Sequence, residues 1–434
     1  MIQFRRIFRI RNVFCIIAGI VLLSFTQQGA GESWNRKNAP AIEELTGGKV
    51  KTGDLINKEN VDLVKEYLPS SLYECVQRGM IMRMGKQIPL EERVPRYFIE
   101  ATEKYRGQAV VDEHGTAYLK NGSPWPGGIP FIEPKTALEV MANVKFGEAF
   151  DDTMVTPYAT HFINSAGKVY KTNNRMVKII NTTGRLKIPP LGAIPGMEKI
   201  KYKRITGQTY PLAQKGLGLV VTRYYDDTVN QDEGFIYLPA FKRTIRVSVT
   251  TWQDSIGGSD MTYGDTLGFG EPYGFWNFKL IGKKYMLIPE PKNPITLVSR
   301  ETGKMHPDFK FTEGEKFPVF GWCITPLYVV EATPKVRHIY KKRILYVLSP
   351  EYWATTQLFP YTEMYDRAGR LWKMYLTGYG HINYDHKEPR LDCNTLNIYD
   401  FQSDHMSFLF LSSYWNTGLK PDDFTLKSLL QYAR

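Results

Sequence analysis

Cysteine is scarce in this chain, with four in 434 residues at Cys15, Cys75, Cys323 and Cys393. None belongs to a CxxC pair, which removes the basis for a thioredoxin-like redox site or a zinc ribbon. Long apolar runs are scarce as well. The longest is Val13–Phe25, and its 13 residues fall short of the roughly 20 that span a bilayer. A GxSxG nucleophile elbow is missing, and so is a Walker loop, so neither serine hydrolase nor P-loop chemistry is supported. Gly257-Gly258-Ser259-Asp260 lacks the closing glycine of an elbow, and Gly268-Phe269-Gly270 opens no helix. There is no repeat of fixed period and no low-complexity tract. Nothing in the pattern calls for a cofactor, and no residue is nominated as catalytic.

What is present is ordinary for a globular protein, 43% hydrophobic and 23% charged residues. Aromatics reach 13%, with 27 Tyr, which favours a sheet whose side chains are both apolar and wettable. Arg5, Arg6, Arg9 and Arg11 precede the apolar run, and Gly29, Ala30 and Gly31 follow it. That order predicts a cleavable secretory signal over residues 1–31. Its removal takes away four arginines and no acid, lowering the net charge from +12 to +8. A basic exported protein meets anionic lipid or an acidic partner rather than nucleic acid. A solvated basic surface without a partner accounts for the charge equally well. The three cysteines left after cleavage allow one disulfide in three pairings, or three buried thiols.

Residues 32–155 read as a helical and loop region, and 156–434 as a β domain. Asn57 is expected to cap a helix through Leu68, stopped by Pro69, and a second helix is expected near Pro95–Tyr105. Asn121–Pro130 can only be loop, with Trp125 pinned into the core. Pro134 opens a third helix whose Ala137, Val140, Met141 and Val144 form an apolar stripe. Strands then follow one another, among them Leu217–Tyr224, Gly234–Leu238, Arg243–Thr251, Tyr273–Pro289 and a meander across Gly321–Gly380. In Arg243–Thr251, Ile245, Val247 and Val249 alternate with polar residues, which predicts one dry face. Asp422 is expected to cap a last helix carrying Phe424, Leu426, Leu429 and Leu430. Roughly ten antiparallel strands with peripheral helices predict a mainly β fold, either a half-open barrel or a strongly curved sheet.

Two segments invite a chemical reading. Asp254–Gly274 holds six glycines and four acids, and suits either a lid over an apolar cavity or a long turn packed on the rim of the sheet. Its Asp254, Asp260 and Asp265 lack the spacing of a calcium loop. Gly380–Cys393 gathers His381, Asp385, His386, Asp392 and Cys393, all capable of holding zinc, although Gly380 and Pro389 bracket a loop rather than a metalloprotease helix.

An extended resemblance runs through these elements. GGIPFIEP at Gly127–Pro134, GFIYLPAFKRTIRV at Gly234–Val247 and DMTYGDTLGFGEPYGFWNFKLIGKKYMLIP at Asp260–Pro289 are followed in order by YVVEATPKVRHIYKKRILYV and MYDRAGRLWKMY. Together they resemble the Gram-negative periplasmic family known as domain of unknown function 1329. VPRYFIEATEKYRGQ at Val94–Gln108 resembles its delta-proteobacterial branch. The resemblance implies a curved antiparallel sheet of the LolA/LolB type with helices packed on the concave face and a cavity for acyl chains. It also implies partners among envelope exporters and outer-membrane proteins, and supplies no catalytic residue. The expected function is therefore a periplasmic, non-enzymatic carrier or accessory protein for a hydrophobic or acylated ligand. Trp252, Phe269, Phe275 and Trp276 are expected near the mouth of its cavity. A scaffold subunit with a filled core is the alternative, and a metal-dependent hydrolase built on Gly380–Cys393 a second one.

Overall fold

A computed structural model of the chain describes residues 39–148, 152–247, 252–289, 317, 320–356, 358–381 and 390–431, all within the unit Trp34–Arg434. The signal expected at residues 1–31 lies outside them. After a short α1 (Ile42–Leu45) and β1 (Leu55–Ile56), the segment expected to be an α-helix is a 3₁₀ helix, Val61–Tyr67. The reason is its apolar spacing. Val61, Val64 and Tyr67 recur every third residue, so a three-residue turn buries all of them on one side. Pro69 ends that segment and also precedes α2 (Ser70–Gln77), a helix the sequence reading missed. Glu363, from the far side of the chain, holds the start of α2. One carboxylate oxygen accepts from Ser70 Oγ (2.7 Å) and Ser71 N (2.8 Å), and the other from the hydroxyls of Tyr346 (3.2 Å) and Tyr365 (3.1 Å). A carboxylate at a helix N-terminus satisfies free N–H groups and complements the helix dipole.

Next come β2 (Met82–Met84), α3 (Arg96–Lys104) and a small hairpin of β3 (Ala109–Val111) and β4 (Ala117–Leu119). Trp125 is pinned as expected, 1% exposed, with Nε1 donating to the Gly128 carbonyl at 2.7 Å. The third helix, α4 (Ala137–Phe146), starts at a Thr136–Glu139 capping box and buries Val140, Met141 and Val144.

The strands follow: β5 (Thr153–Ile163), β6 (Val169–Asn181), the short pair β7 (Thr183–Arg185) and β8 (Gly192–Ala193), and β9 (Ile200–Tyr210). β10 (Gly218–Tyr224), β11 (Glu233–Leu238) and β12 (Arg243–Val247) come before a long excursion to β13 (Trp276–Pro289). β14 (Phe320–Pro334), β15 (Tyr340–Leu348), β16 (Tyr361–Asp366), β17 (Leu371–His381), β18 (Leu391–Asp400), β19 (His405–Leu411) and β20 (Tyr414–Trp415) complete the set. A last helix, α5 (Leu426–Gln431), closes the described chain.

Sixteen of the strands join one curved sheet that does not close into a barrel, in the order β1-β2-β14-β15-β16-β17-β18-β19-β5-β6-β9-β10-β11-β12, with β13 on β14 and β20 on β5. Its pairs are antiparallel except β2 with β14, which is parallel, so the sheet is mixed rather than purely antiparallel. Helices α2, α3 and α4 pack on the β13–β18 half, where Leu72, Phe98 and Met141 share a core with Trp322, Leu327, Val330 and Leu345. On the other half α5 covers one face, Phe424 and Leu429 meeting Ile180, Ile205 and Val220. Gly218 has no side chain at that contact, and a Cβ there would lie 2.4 Å from Leu429 Cδ1.

Two expectations change. Of the dry face expected of Arg243–Thr251, Ile245 is 53% exposed, because it carries the row Leu219, Ile236 onto the outermost strand, on the face away from the apolar cluster under α5; Val249 lies outside the described residues. The three cysteines among the described residues are free and buried, so none forms the optional disulfide. Asp152, 1% exposed and just ahead of β5, fixes the turn that follows β7. It accepts the backbone N–H groups of Leu186 and Lys187 at 2.9 Å each, and also that of Ile188. Asp152→Ala strands these donors and is expected to cost about 2–3 kcal/mol, read as a lower urea midpoint.

Candidate ligand-binding cavity

Side chains alternate across a strand, so register decides which residues share a face. One row across the sheet reads Thr156, Val177, Thr206, Leu219, Ile236. On one side of it lies the row Leu411, Tyr158, Arg175, Gln208, and on the other Met154, Ile179, Arg204. All twelve residues line a single cavity of about 280 Å³, on the face opposite the one α5 covers. The Gly-rich segment lies across these rows, contributing Ile256, Met261, Tyr263, Thr266 and Leu267 to the same cavity. Leu396 and Leu409 add to its walls from β18 and β19.

The Gly-rich segment is a packed turn held by one buried ion cluster. Arg343 on β15 is fully buried, with Nη2 2.7 Å from Glu271 Oε1 and 3.3 Å from Asp265 Oδ1, while Nη1 donates to the Gly264 carbonyl at 3.0 Å. Its guanidinium lies about 5 Å from the rings of Phe269, Trp276 and Tyr340. Tyr340 donates to Asp265, and Trp276 Nε1 to Glu271. Burial pushes the Glu271 carboxyl up, but Arg343 and His338 bring it below its usual range. Two glycines are required by this packing. A Cβ on Gly264 would lie 2.3 Å from Glu271 Oε1, and Gly268 has φ +83° with a Cβ position 2.5 Å from the Phe359 ring. Leu267 adopts φ +57° and reaches the cavity from that uncommon backbone shape.

A smaller recess of about 50 Å³ adjoins the cavity and shares Glu148, Lys201, Tyr202, Arg204, Thr266 and Leu267 with it. Beside it runs a buried ion network. Lys145 Nζ lies 2.6 Å from Asp227, Arg223 is 3.2 Å from Asp227, and its Nε is 2.6 Å from Asp232. Burial raises the Asp227 carboxyl, yet Lys145 and Arg223 hold it below its usual range. Burial pushes Glu148 up to about 8 against the pull of Lys201, and lowers Lys201 to about 8 against the pull of Glu148.

Of the four aromatic residues expected at a cavity mouth, Trp252 and Phe269 line the recess. Phe269 and Trp276 stack edge to face at 5.0 Å within the Arg343 cluster, and Phe275 is half-buried next to them in sequence. The larger cavity is lined by none of the four. Most of its lining from β9 escaped the sequence reading, because Arg204, Thr206 and Gln208 face inward and break any apolar alternation. The register with the apolar strands beside it is the signal that identifies them.

Among the described residues, Asp260, Asp265, Asp392 and Cys393 of the donors expected for calcium or zinc are already engaged. Asp260 accepts from His405 and Ser407, and Asp265 belongs to the Arg343 cluster. In Gly380–Cys393 the segment 382–389 lies outside the described residues. Asp392 accepts from Thr356 and from the Cys393 amide, and burial pushes the Cys393 thiol up, away from the reactive thiolate. Asp112, His114 and Asp226 converge elsewhere; Oδ1 of each carboxylate accepts amides of its own turn, at His114 and Thr116 and at Thr228 and Val229, and Asp226 Oδ2 lies 3.3 Å from His114 Nδ1. No helix among the described residues is long and apolar enough to cross a membrane.

Residues 55–429 match the model of a family described as protein of unknown function, DUF1329. No curated protein matches. Among solved structures, an outer-membrane lipoprotein-sorting protein domain from Vibrio parahaemolyticus is similar at 17% identity and TM-score 0.45, over 68% of this chain and 98% of that one. A DUF1329 family protein from Desulfovibrio piger is similar at 15% identity and TM-score 0.44, over 64% and 92%. A LolA superfamily protein from Nitrosomonas europaea is similar at 14% identity and TM-score 0.38, over 68% and 100%.

Proposed function

The chain belongs to the DUF1329 family, and we propose that it is a non-catalytic carrier that binds a hydrophobic or acylated ligand in the cavity between its sheet and the Gly-rich turn. The observation that carries this reading is the cavity itself. At about 280 Å³ it has nearly twice the volume of an engineered apolar cavity of ~150 Å³ that admits benzene. A scaffold with a filled core has no use for such a space. Affinity comes from alkyl burial, worth about 0.8 kcal/mol per CH₂. The basic, apolar-rich leader supports export to the periplasm, with an envelope transporter or outer-membrane protein as the receiving partner. Trp252 and Phe269 contact ligand that extends into the recess, while Phe275 and Trp276 brace the turn.

One end of the sheet suits exchange with a membrane. The β9–β10 tip carries Leu212, 78% exposed, with Lys215, and the β11–β12 tip carries Phe241, 72% exposed, with Lys242 and Arg243. The two tips are neighbours, since β10 pairs with both β9 and β11 and Gly218 lies opposite Tyr237. Leu217 and Leu238, at the bases of these tips, line the cavity. Exposed apolar side chains flanked by cations dock on anionic lipid.

The test is uptake of a fluorescent fatty acid from phosphatidylglycerol vesicles, followed by gel filtration. Co-elution of about one probe per chain is the expected result, and none would overturn the carrier reading. Leu212→Asp with Phe241→Asp is expected to slow uptake from vesicles about 10-fold and leave affinity for probe in solution unchanged.

A further inference from the structure

The cations around the cavity fall into two groups. Lys145, Arg223 and Arg343 are consumed by Asp227, Asp232, Glu271 and Asp265, and Arg175 Nε donates to Gln208 at 2.6 Å. Lys201 and Arg204 are different. Both line the cavity and the recess, and neither side chain has a hydrogen-bond or ion-pair partner among the described residues. Arg204 Nε is buried, and its cross-strand neighbours are the apolar Ile179 and Val221. Trp252 Nε1, in the same recess, is a buried donor without an acceptor.

A buried donor without an acceptor is costly, and a cation more so, unless a ligand completes it. Two buried donors without acceptors, Arg204 Nε and Trp252 Nε1, beside the Lys201 ammonium at one end of a mostly apolar cavity define a ligand that is oily along its length and anionic at one tip. We infer that Arg204 and Lys201, with Trp252 beside them, bind the carboxylate or phosphate head group of a single-chain amphiphile whose tail runs along the sheet toward Leu217 and Leu238. This rests on the carrier reading and specifies its ligand class. From residue 201 to 208, β9 covers about 23 Å at 3.3 Å per residue, which gives the tail its track. Burial disfavours the ionised form of Glu148, against the pull of Lys201, which lessens its competition with a ligand anion.

Isothermal titration of the full chain with dodecanoate, dodecyl phosphate and dodecan-1-ol separates the claims. At least one of the anions is expected to bind about 10-fold more tightly than the alcohol, and the tighter of the two identifies the head group. Arg204→Met and Lys201→Met keep the side-chain length and are each expected to reduce that preference toward unity while alcohol binding persists. Thermal melting checks their folding. Equal binding of all three probes by the wild-type chain would overturn the head-group assignment and leave the carrier reading standing. So would a preference that survives both substitutions. Absence of binding by all three would overturn the carrier reading itself. The comparison of acid with alcohol on the wild-type chain decides the matter even if a variant fails to fold.

Discussion

Arg343→Leu is expected to lower the stability of the fold by about 3–5 kcal/mol, the usual cost of leaving buried charges unpaired. Arg343 is fully buried and holds two acids at once, Glu271 and Asp265, along with the carbonyl of Gly264. Leucine fills part of the volume but supplies no donor. Its neighbours Phe269, Trp276 and Tyr340 also lose the cation they surround. The damage concentrates in the turn that walls the cavity, because Asp265, Glu271 and Gly264 all belong to it. Hydrogen exchange is therefore expected to accelerate across residues 255–274 before it does so in β14 and β15. Chemical denaturation gives the size of the effect. A loss under 1 kcal/mol would mean that the cluster does not anchor the turn.

Val177→Trp is expected to abolish ligand uptake while the fold survives. Val177 sits in the middle of the row Thr156, Val177, Thr206, Leu219 and faces the cavity, so the indole enters open space rather than the packed core. Overpacking, which costs about 1–3 kcal/mol in a filled core, is largely avoided there. Displacing as few as four methylenes of bound chain forfeits about 3 kcal/mol, which is a loss of roughly 100-fold in affinity. An unchanged melting temperature together with abolished binding is the expected pair of results. Strong destabilisation would instead identify the region as core.

Much of the fold was legible because its signals are local. Helix α4 announces itself by its apolar stripe, and Asn121–Pro130 declares itself loop by its Pro and Gly. The helix α2 was missed because Pro69 signals an end as readily as a beginning. β9 was missed because a strand that turns Arg204, Thr206 and Gln208 toward a cavity shows no apolar period. The site was legible only in outline. The stretch Asp254–Gly274 and the element YVVEATPKVRHIYKKRILYV, which contains Arg343, both stand out in the sequence, but that Arg343 closes on Asp265 and Glu271 is a long-range contact no spacing reveals. The same holds for Lys201 and Arg204, whose meaning comes from the partners they lack in space.

Native mass spectrometry of the chain, purified without detergent from cells that export it, tests the central claim most directly. The account expects an adduct of one acyl-chain amphiphile per chain, recoverable by solvent extraction and missing from Val177→Trp. A bare protein mass for the wild-type chain, or an adduct that Val177→Trp retains in full, would contradict a ligand held between the sheet and the Gly-rich turn.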